Sequence, residues 1–406
     1  MKEKIKMTEK VLKKPQLFAL MIIPVVWLIE TTIMAPGLGL MTQTFPDATN
    51  FQINMAFSIP YITSIIFSAL TSKLSKTIDK KVLVVLGLFI YGITAMLPAF
   101  AGSLNQILIM RLITGIGVGL VLPMPNVYID EYFAGPKRKT MLGWANAVAH
   151  IANICATLVA GALIVMSWRY SFFAFGIVIV IAIIELVLLP KFPPSQQLAQ
   201  AAAAADPSTK EKLPKFIWAL AAFMTLVMAF FAIGAVSISE FMIGYKIGIV
   251  AIIGVVGIFP SVGNIAGSLL SKKISGVLKG WHPFVACVSF AIGFAIYFTA
   301  NSVAAICIAV IFVGFGTGLL VPYLLEATAS ICSERTMVLG FGIVTACIHL
   351  GVFLFPYIEQ LFAVVGNNNE LRFTMLVSTV FMIVAALLCL IVVKKTADAR
   401  KKEKAA

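Results

Sequence analysis

Hydrophobic residues make up 60% of this 406-residue chain, about what twelve bilayer crossings of ~20 residues each require. Charged residues are only 12% and mean hydropathy is +1.01, which excludes a soluble globular domain. The net charge of +14 does not point to nucleic acid, because the basic residues punctuate apolar blocks instead of gathering on one face.

Apolar blocks long enough to span lie near residues 17–40, 54–74, 82–101, 105–127, 140–165, 170–190, 215–240, 248–271, 281–300, 303–326, 337–362 and 371–393. The predicted fold is therefore an all-α membrane protein with twelve transmembrane helices. The basic stretch before the first block mimics a secretory signal. That block, however, is long, contains Glu30 and lacks a small-residue cleavage site, so it is read as an uncleaved first span. Cys155, Cys287, Cys307, Cys332, Cys347 and Cys389 all fall in apolar stretches without metal-ligand spacing, so no metal site and no cofactor are expected.

Nearly all of the 31 Lys and Arg residues fall in alternate loops on one side; Arg169, Lys246 and Arg372 lie opposite, and Arg111 lies inside a span. The positive-inside rule then places both termini in the cytoplasm. The longest loop, with its prolines and polyalanine run, separates an N-terminal six-helix bundle (1–190) from a C-terminal one with a basic tail (215–406), making 191–214 a cytoplasmic linker. The halves repeat one another. SKLSKTI from Ser72 matches SLLSKKI from Ser268, and GIGVGLVLP from Gly115 matches GFGTGLLVP from Gly314, at offsets of 196 and 199. Such parallel repeats enclose a midplane cavity suited to alternating access.

Several features together resemble the major facilitator superfamily of secondary transporters over essentially the whole chain. They are the twelve spans, the basic loop ending Asp79-Lys80-Lys81, RLITGIGVG in span four, Pro136-x-Arg138 with Gly143 entering span five, and Trp168-Arg169-Tyr170-x-Phe172 opening span six. LIETTIMAPGL in span one resembles the acid-x-Thr-Ile and proline pattern of the proton-coupled drug antiporters, with Glu30 at the acidic position. The resemblance implies the major facilitator fold and a monomer in a bacterial cytoplasmic membrane, working on a small-molecule substrate and protons. One departure stands in the loop motif: Lys76 replaces the usual Asp and Asp79 the usual Gly. A cytoplasmic gate of Asp79, Lys80, Asp130 and Arg138 is expected in altered form.

Ionisable groups deep in hydrocarbon are site candidates by default. Glu30 is assigned to proton coupling. Arg111, about 6 Å away in depth at 1.5 Å per residue, is assigned to coupling or to substrate charge; the alternative for both is a fixed ion pair locking two helices. Arg111 has no counterpart in the repeat, where Val310 stands. Asn146, His150, Asn153 and Thr157 share one face of span five, either lining the cavity or bonding helices together. His349 lies at similar depth in the other half. Trp27, Met34, Tyr61 and Asn264 complete the expected cavity, with plain packing as the alternative. Glu185, Glu240, Glu326 and Glu359 are read as interfacial.

Span four's Gly115-x-Gly117-x-Gly119 follows no strand, so it is helix packing rather than a nucleotide loop. No phosphate loop or enzyme motif is found in the sequence. The leading function is proton-coupled export of an amphipathic or cationic compound. Transport of a small organic anion with Arg111 as counter-charge, uncoupled facilitation, and an enzyme or receptor role are the competing readings.

Overall fold

The computed structural model describes residues 12–75, 77–133, 135–191, 213–214, 216–278, 281–332 and 336–405. The linker at 192–212, including the polyalanine run, lies outside them. Ten helices in this set are long and apolar enough to cross a membrane. The other two of the twelve crossings are spans one and five.

Span one is broken into Lys14–Ile22, Val25–Met34, a 3-10 turn Ala35–Gly37 and Leu38–Thr44. The breaks fall at Pro24 and Pro36, which lack the N–H that would continue the helix ladder. Span five, Gly135–Ile164, is one helix, with Ile151–Ile164 an apolar stretch of described residues within it. The other crossings used below are span two Asn50–Leu74, span three Lys80–Met96, span four Leu104–Val121 and span six, which ends in Gly176–Leu188. In the second half, span seven is Phe216–Val236 continued by Ile238–Gly244, and span eight is Val250–Val256 and Phe259–Leu278. Spans nine to twelve are His282–Thr299, Val303–Ile331, Met337–Gly366 and Leu371–Ala405. Twelve crossings bring both termini to one end of the bundle, called here the terminal end; the other is the far end.

The duplication is visible in packing. A Cβ on Gly115 would collide with the Pro60 carbonyl, and one on Gly119 with the Ser64 carbonyl; Gly314 and Gly318 meet the Pro260 and Asn264 carbonyls in the same way. The glycine triplets therefore let span four lie on span two, and span ten on span eight, at backbone contact. Proline-freed carbonyls are also served alike. Pro123 cannot donate to Gly119, and Thr71 Oγ1 donates to that carbonyl at 3.3 Å. Pro322 cannot donate to Gly318, and Ser268 Oγ donates to that one at 3.2 Å. An unpaired carbonyl is costly in hydrocarbon, and at these two prolines a hydroxyl donor meets that need.

The halves meet at the far end. Span one touches span seven, where Gly39 N–H donates to Ser239 Oγ at 3.3 Å and Ser239 Oγ donates to Pro36 O at 2.5 Å. Span two lies along span eleven through Phe51 and Tyr357 (ring centroids 5.1 Å apart) and Phe57 and Phe355 (5.9 Å). Span five crosses span eight where Gly161 and Gly254 face each other, so close that a Cβ on either would strike the other's backbone.

Candidate functional site

Glu30 sits between the two proline breaks of span one, on the short helix Val25–Met34, and is 2% exposed. It forms an ion pair with the NH2 group of Arg111 from span four, which is fully enclosed. A guanidinium buried this deeply needs further acceptors. Span two supplies one: Pro60 interrupts the ladder inside an otherwise continuous helix, freeing the carbonyl of Ala56, and Arg111 Nε donates to it at 2.9 Å. The repeat shows the converse. Pro260 aligns with Pro60, Val310 stands in place of Arg111, and span eight breaks between Val256 and Phe259.

Around this pair the structure gathers two tyrosines. Tyr91 of span three donates to Val26 O at 3.2 Å and lies within electrostatic range of Glu30 and Arg111. Tyr61 of span two is within range of the same two charges, and its hydroxyl has no hydrogen-bond partner. The second carboxylate oxygen of Glu30 and the NH1 group of Arg111 are likewise buried without partners. The pair thus has unused capacity for a proton or a hydrogen-bonding guest.

Two polar connections run from this region to the other half. The Tyr61 ring lies 5.5 Å from that of His349 in span eleven, and Ser64 Oγ and His349 Nδ1 are 3.1 Å apart. Thr32, two residues beyond Glu30 in the short helix, donates to Asn153 Oδ1 of span five, and Asn153 Nδ2 donates to Ser261 Oγ of span eight at 3.4 Å. Thr157 Oγ1 donates back to the Asn153 carbonyl at 2.8 Å.

Glu30, Arg111 and Tyr61 are therefore brought together within the first half, and Tyr61 and Asn153 make the contacts with His349 and Ser261 of the second. Met34 is buried in the shared apolar core, while Asn264 is half-buried and its carbonyl packs on Gly318. The side chains of Trp27, Asn146, His150, Asp130 and Arg138 lie outside the described set. At the terminal end Asp79 caps span three, its Oδ1 accepting from Lys81 N–H at 2.8 Å, and Lys80 is buried.

Three of the four glutamates expected at the membrane interface are buried inside protein instead. Glu359 is 9% exposed because Asn54 and Ser237 donate to it (2.8 and 3.1 Å), and Glu240 beside it is also 9% exposed. Glu185 of span six is fully enclosed, with Lys81 the charge acting on it. Glu326 alone is exposed. Sequence reasoning missed Asn54, Ser237 and Tyr91. Each is a polar residue beside apolar neighbours, and an intramembrane Asn such as Asn54 was the available signal.

A sequence profile described as Major Facilitator Superfamily matches residues 18–296 and 281–406. Among curated proteins, the multidrug transporter protein MdtP of Bacillus subtilis (strain 168) is 26% identical over 113 residues, covering 28% of this chain and 21% of MdtP. The quinolone resistance protein NorA of Staphylococcus aureus (strain MRSA252) is 20% identical over 200 residues, 48% of this chain and 51% of NorA. The chain thus spans between about a fifth and a half of these relatives' length. Among solved structures, a bacterial homologue of the human lysosomal transporter Spinster, in an inward-facing and occupied conformation, superposes with a TM-score of 0.74 at 17% identity. The match covers 94% of this chain and 98% of that one, and it shows the shared fold.

Proposed function

The chain belongs to the Major Facilitator Superfamily, and from that premise we propose that it is a secondary transporter working by alternating access, which exports amphipathic or cationic small molecules in exchange for protons taken up at Glu30. The observation that carries this reading is the buried Glu30–Arg111 pair, with Glu30 between two proline breaks of span one and Tyr61 linking the pair's surroundings to His349 of the second half. The distant likeness to MdtP and NorA supports the substrate class. The superfamily is one of transporters, and no catalytic step is assigned to the chain.

The chemistry follows from the contacts. Arg111 is held by the Ala56 carbonyl as well as by Glu30, so protonating the carboxyl does not release the guanidinium. The proton goes to the carboxylate oxygen that has no partner, and the pair changes from neutral to singly positive. A cationic guest is repelled by that charge and is held better by the deprotonated pair, so proton and guest exclude one another. Alternation of the cavity between sides then exchanges one for the other. Exchange of one proton for a neutral amphipathic guest moves one charge, and ~100 mV then supplies about 2.3 kcal/mol without nucleotide hydrolysis; exchange for a monovalent cation is electroneutral and is driven by the pH difference. The positive-inside distribution of Lys and Arg puts the terminal end in the cytoplasm, so the proton enters from the far side.

The test is ethidium movement in proteoliposomes under an imposed pH step. Wild-type protein accumulates the dye against its gradient. Glu30→Gln is expected to abolish the pH-driven component while keeping downhill exchange. Transport of full size in Glu30→Gln, or transport that ignores the pH step, defeats the reading.

A further inference from the structure

The far-end seam between the halves is closed by acids with no base bonded to them. Glu359 of span eleven accepts from Asn54 of span two, in the opposite half, and from Ser237 of span seven. Glu240, one turn along span seven from Ser237, acts electrostatically on Glu359, and the Asn54 amide serves it as well. From span nine comes Tyr297. It is fully enclosed, its hydroxyl has no hydrogen-bond partner, and the charges acting on it are these two glutamates.

Among the described residues no cation forms an ion pair with either acid. Arg372, at the start of span twelve, donates to Ala300 O (2.9 Å) and Asn301 Oδ1 (2.6 Å) and lies over the Tyr245 ring at 4.7 Å. Lys246 and Glu370 are exposed to the surface. Among the described residues the one ion pair is Arg111–Glu30.

Two anions side by side in a poorly hydrated seam repel strongly, and one proton shared between them removes that cost. An unpartnered buried hydroxyl beside them is what a carboxyl group that changes protonation needs: it can donate to the anion and accept from the acid. A cavity of about 310 Å³, lined by Asn54, Glu359, Gln360 and Asn369 together with Phe51 and Leu371, lies against the cluster.

The halves also meet at the far end without polar groups. Gly161 and Gly254 close the other crossing of the halves by bare backbone contact. Closing the seam requires no acid; here one has been placed.

We propose that Glu359 and Glu240 form a second proton-binding site, loaded while the far end is closed and emptied when the halves part. Parting withdraws Asn54 from Glu359 and admits water. The O–H bond of the shared acid breaks, the proton passes to far-side water, and two carboxylates remain. Their repulsion holds the far end open until a proton returns. The site is separate from Glu30 and does not depend on it.

The test measures distances by pulsed electron spin resonance in the full-length chain. Spin labels are carried on ketone side chains at Met166 and Ile249, two exposed positions flanking the Gly161–Gly254 crossing, so the native cysteines stay. Between about pH 5 and about pH 9, a range that brackets perturbed carboxyl groups, wild type is expected to pass from a short to a longer distance. Glu359→Gln and the Glu240→Gln/Glu359→Gln pair are expected to keep the short distance throughout, and Glu30→Gln to follow wild type. A flat wild-type curve overturns the proposal. So does a titration that survives in both glutamine variants, or one lost only in Glu30→Gln. If Glu359→Gln alone is not monodisperse, Glu240→Gln gives the same reading, because either substitution removes the repelling pair.

Discussion

Arg111 donates through Nε to the carbonyl of Ala56, a group that Pro60 leaves without its helix partner. A helix defect in span two thus fixes the guanidinium that faces the acid of span one. Pro60→Ala restores an N–H able to close on Ala56 and sets the two donors in competition. The helix should gain stability, since proline is costly inside a helix. Losing one hydrogen bond to a charged group, worth about 1.5–3 kcal/mol, should loosen the pair. Unchanged or higher melting temperature together with a roughly tenfold fall in pH-driven dye transport, the equivalent of about 1.4 kcal/mol, is the expected result. Wild-type transport in this variant argues against Arg111 being positioned by the proline.

Removing one member of the pair should harm more than removing both. Arg111→Met leaves Glu30 buried without its cation and Ala56 without a donor, a loss of about 3–5 kcal/mol if the charge persists. Glu30→Gln/Arg111→Met removes the uncompensated charge, and thermal unfolding in detergent should show most of the lost stability recovered. The same variants separate the cargo readings. An anion carrier loses binding with Arg111→Met, whereas a cation exporter loses it more with Glu30→Ala. Equal melting temperatures for the single and double variants would remove the ion pair from the account of stability.

The duplicated glycines give a matched pair of predictions. Gly115→Val and Gly314→Val each push a side chain into a proline carbonyl on the neighbouring helix. Overpacking of this kind costs about 1–3 kcal/mol, and backbone atoms yield less than side chains. Both variants should lose stability by similar amounts in thermal unfolding. An effect in one half alone would mean that the two triplets pack differently.

The contrast between what could be read from sequence and what could not has a physical cause. Spans were legible because hydrocarbon thickness imposes runs of apolar residues, and the repeat because GIGVGLVLP and GFGTGLLVP must fit the same backbone contacts. Glu30 and Arg111 stood out because charge in lipid is costly, and counting residues along two helices sufficed to bring them to similar depth. Helix faces were not legible, since nearly every face in such a chain is apolar. Glu359 and Glu240 lie near helix ends, where the sequence allows an exit to water; only the seam with span two, carrying Asn54, shows that they are enclosed. Nor does the sequence distinguish Pro60, which sits inside a continuous helix, from Pro260, which follows a break, because the difference depends on Arg111 reaching across from another helix.

Span five crosses span eight at the far end with Gly161 on Gly254, backbone to backbone. Closure there depends on the absence of two side chains, so the smallest one should act as a wedge. Gly254→Ala and Gly161→Ala each place a methyl group against the facing backbone, while both residues lie in helices that accept alanine readily. Stability should change little, because the wedge is relieved when the halves part. The cost falls on the closed state, and a penalty of about 1.4 kcal/mol shifts the balance of open and closed forms about tenfold. The Met166–Ile249 spin-label distance should move to its longer value whatever the pH, and transport, which needs both states, should fall by a similar factor. Alanine variants that keep the short distance and the wild-type rate would show that this glycine contact does not control the far gate.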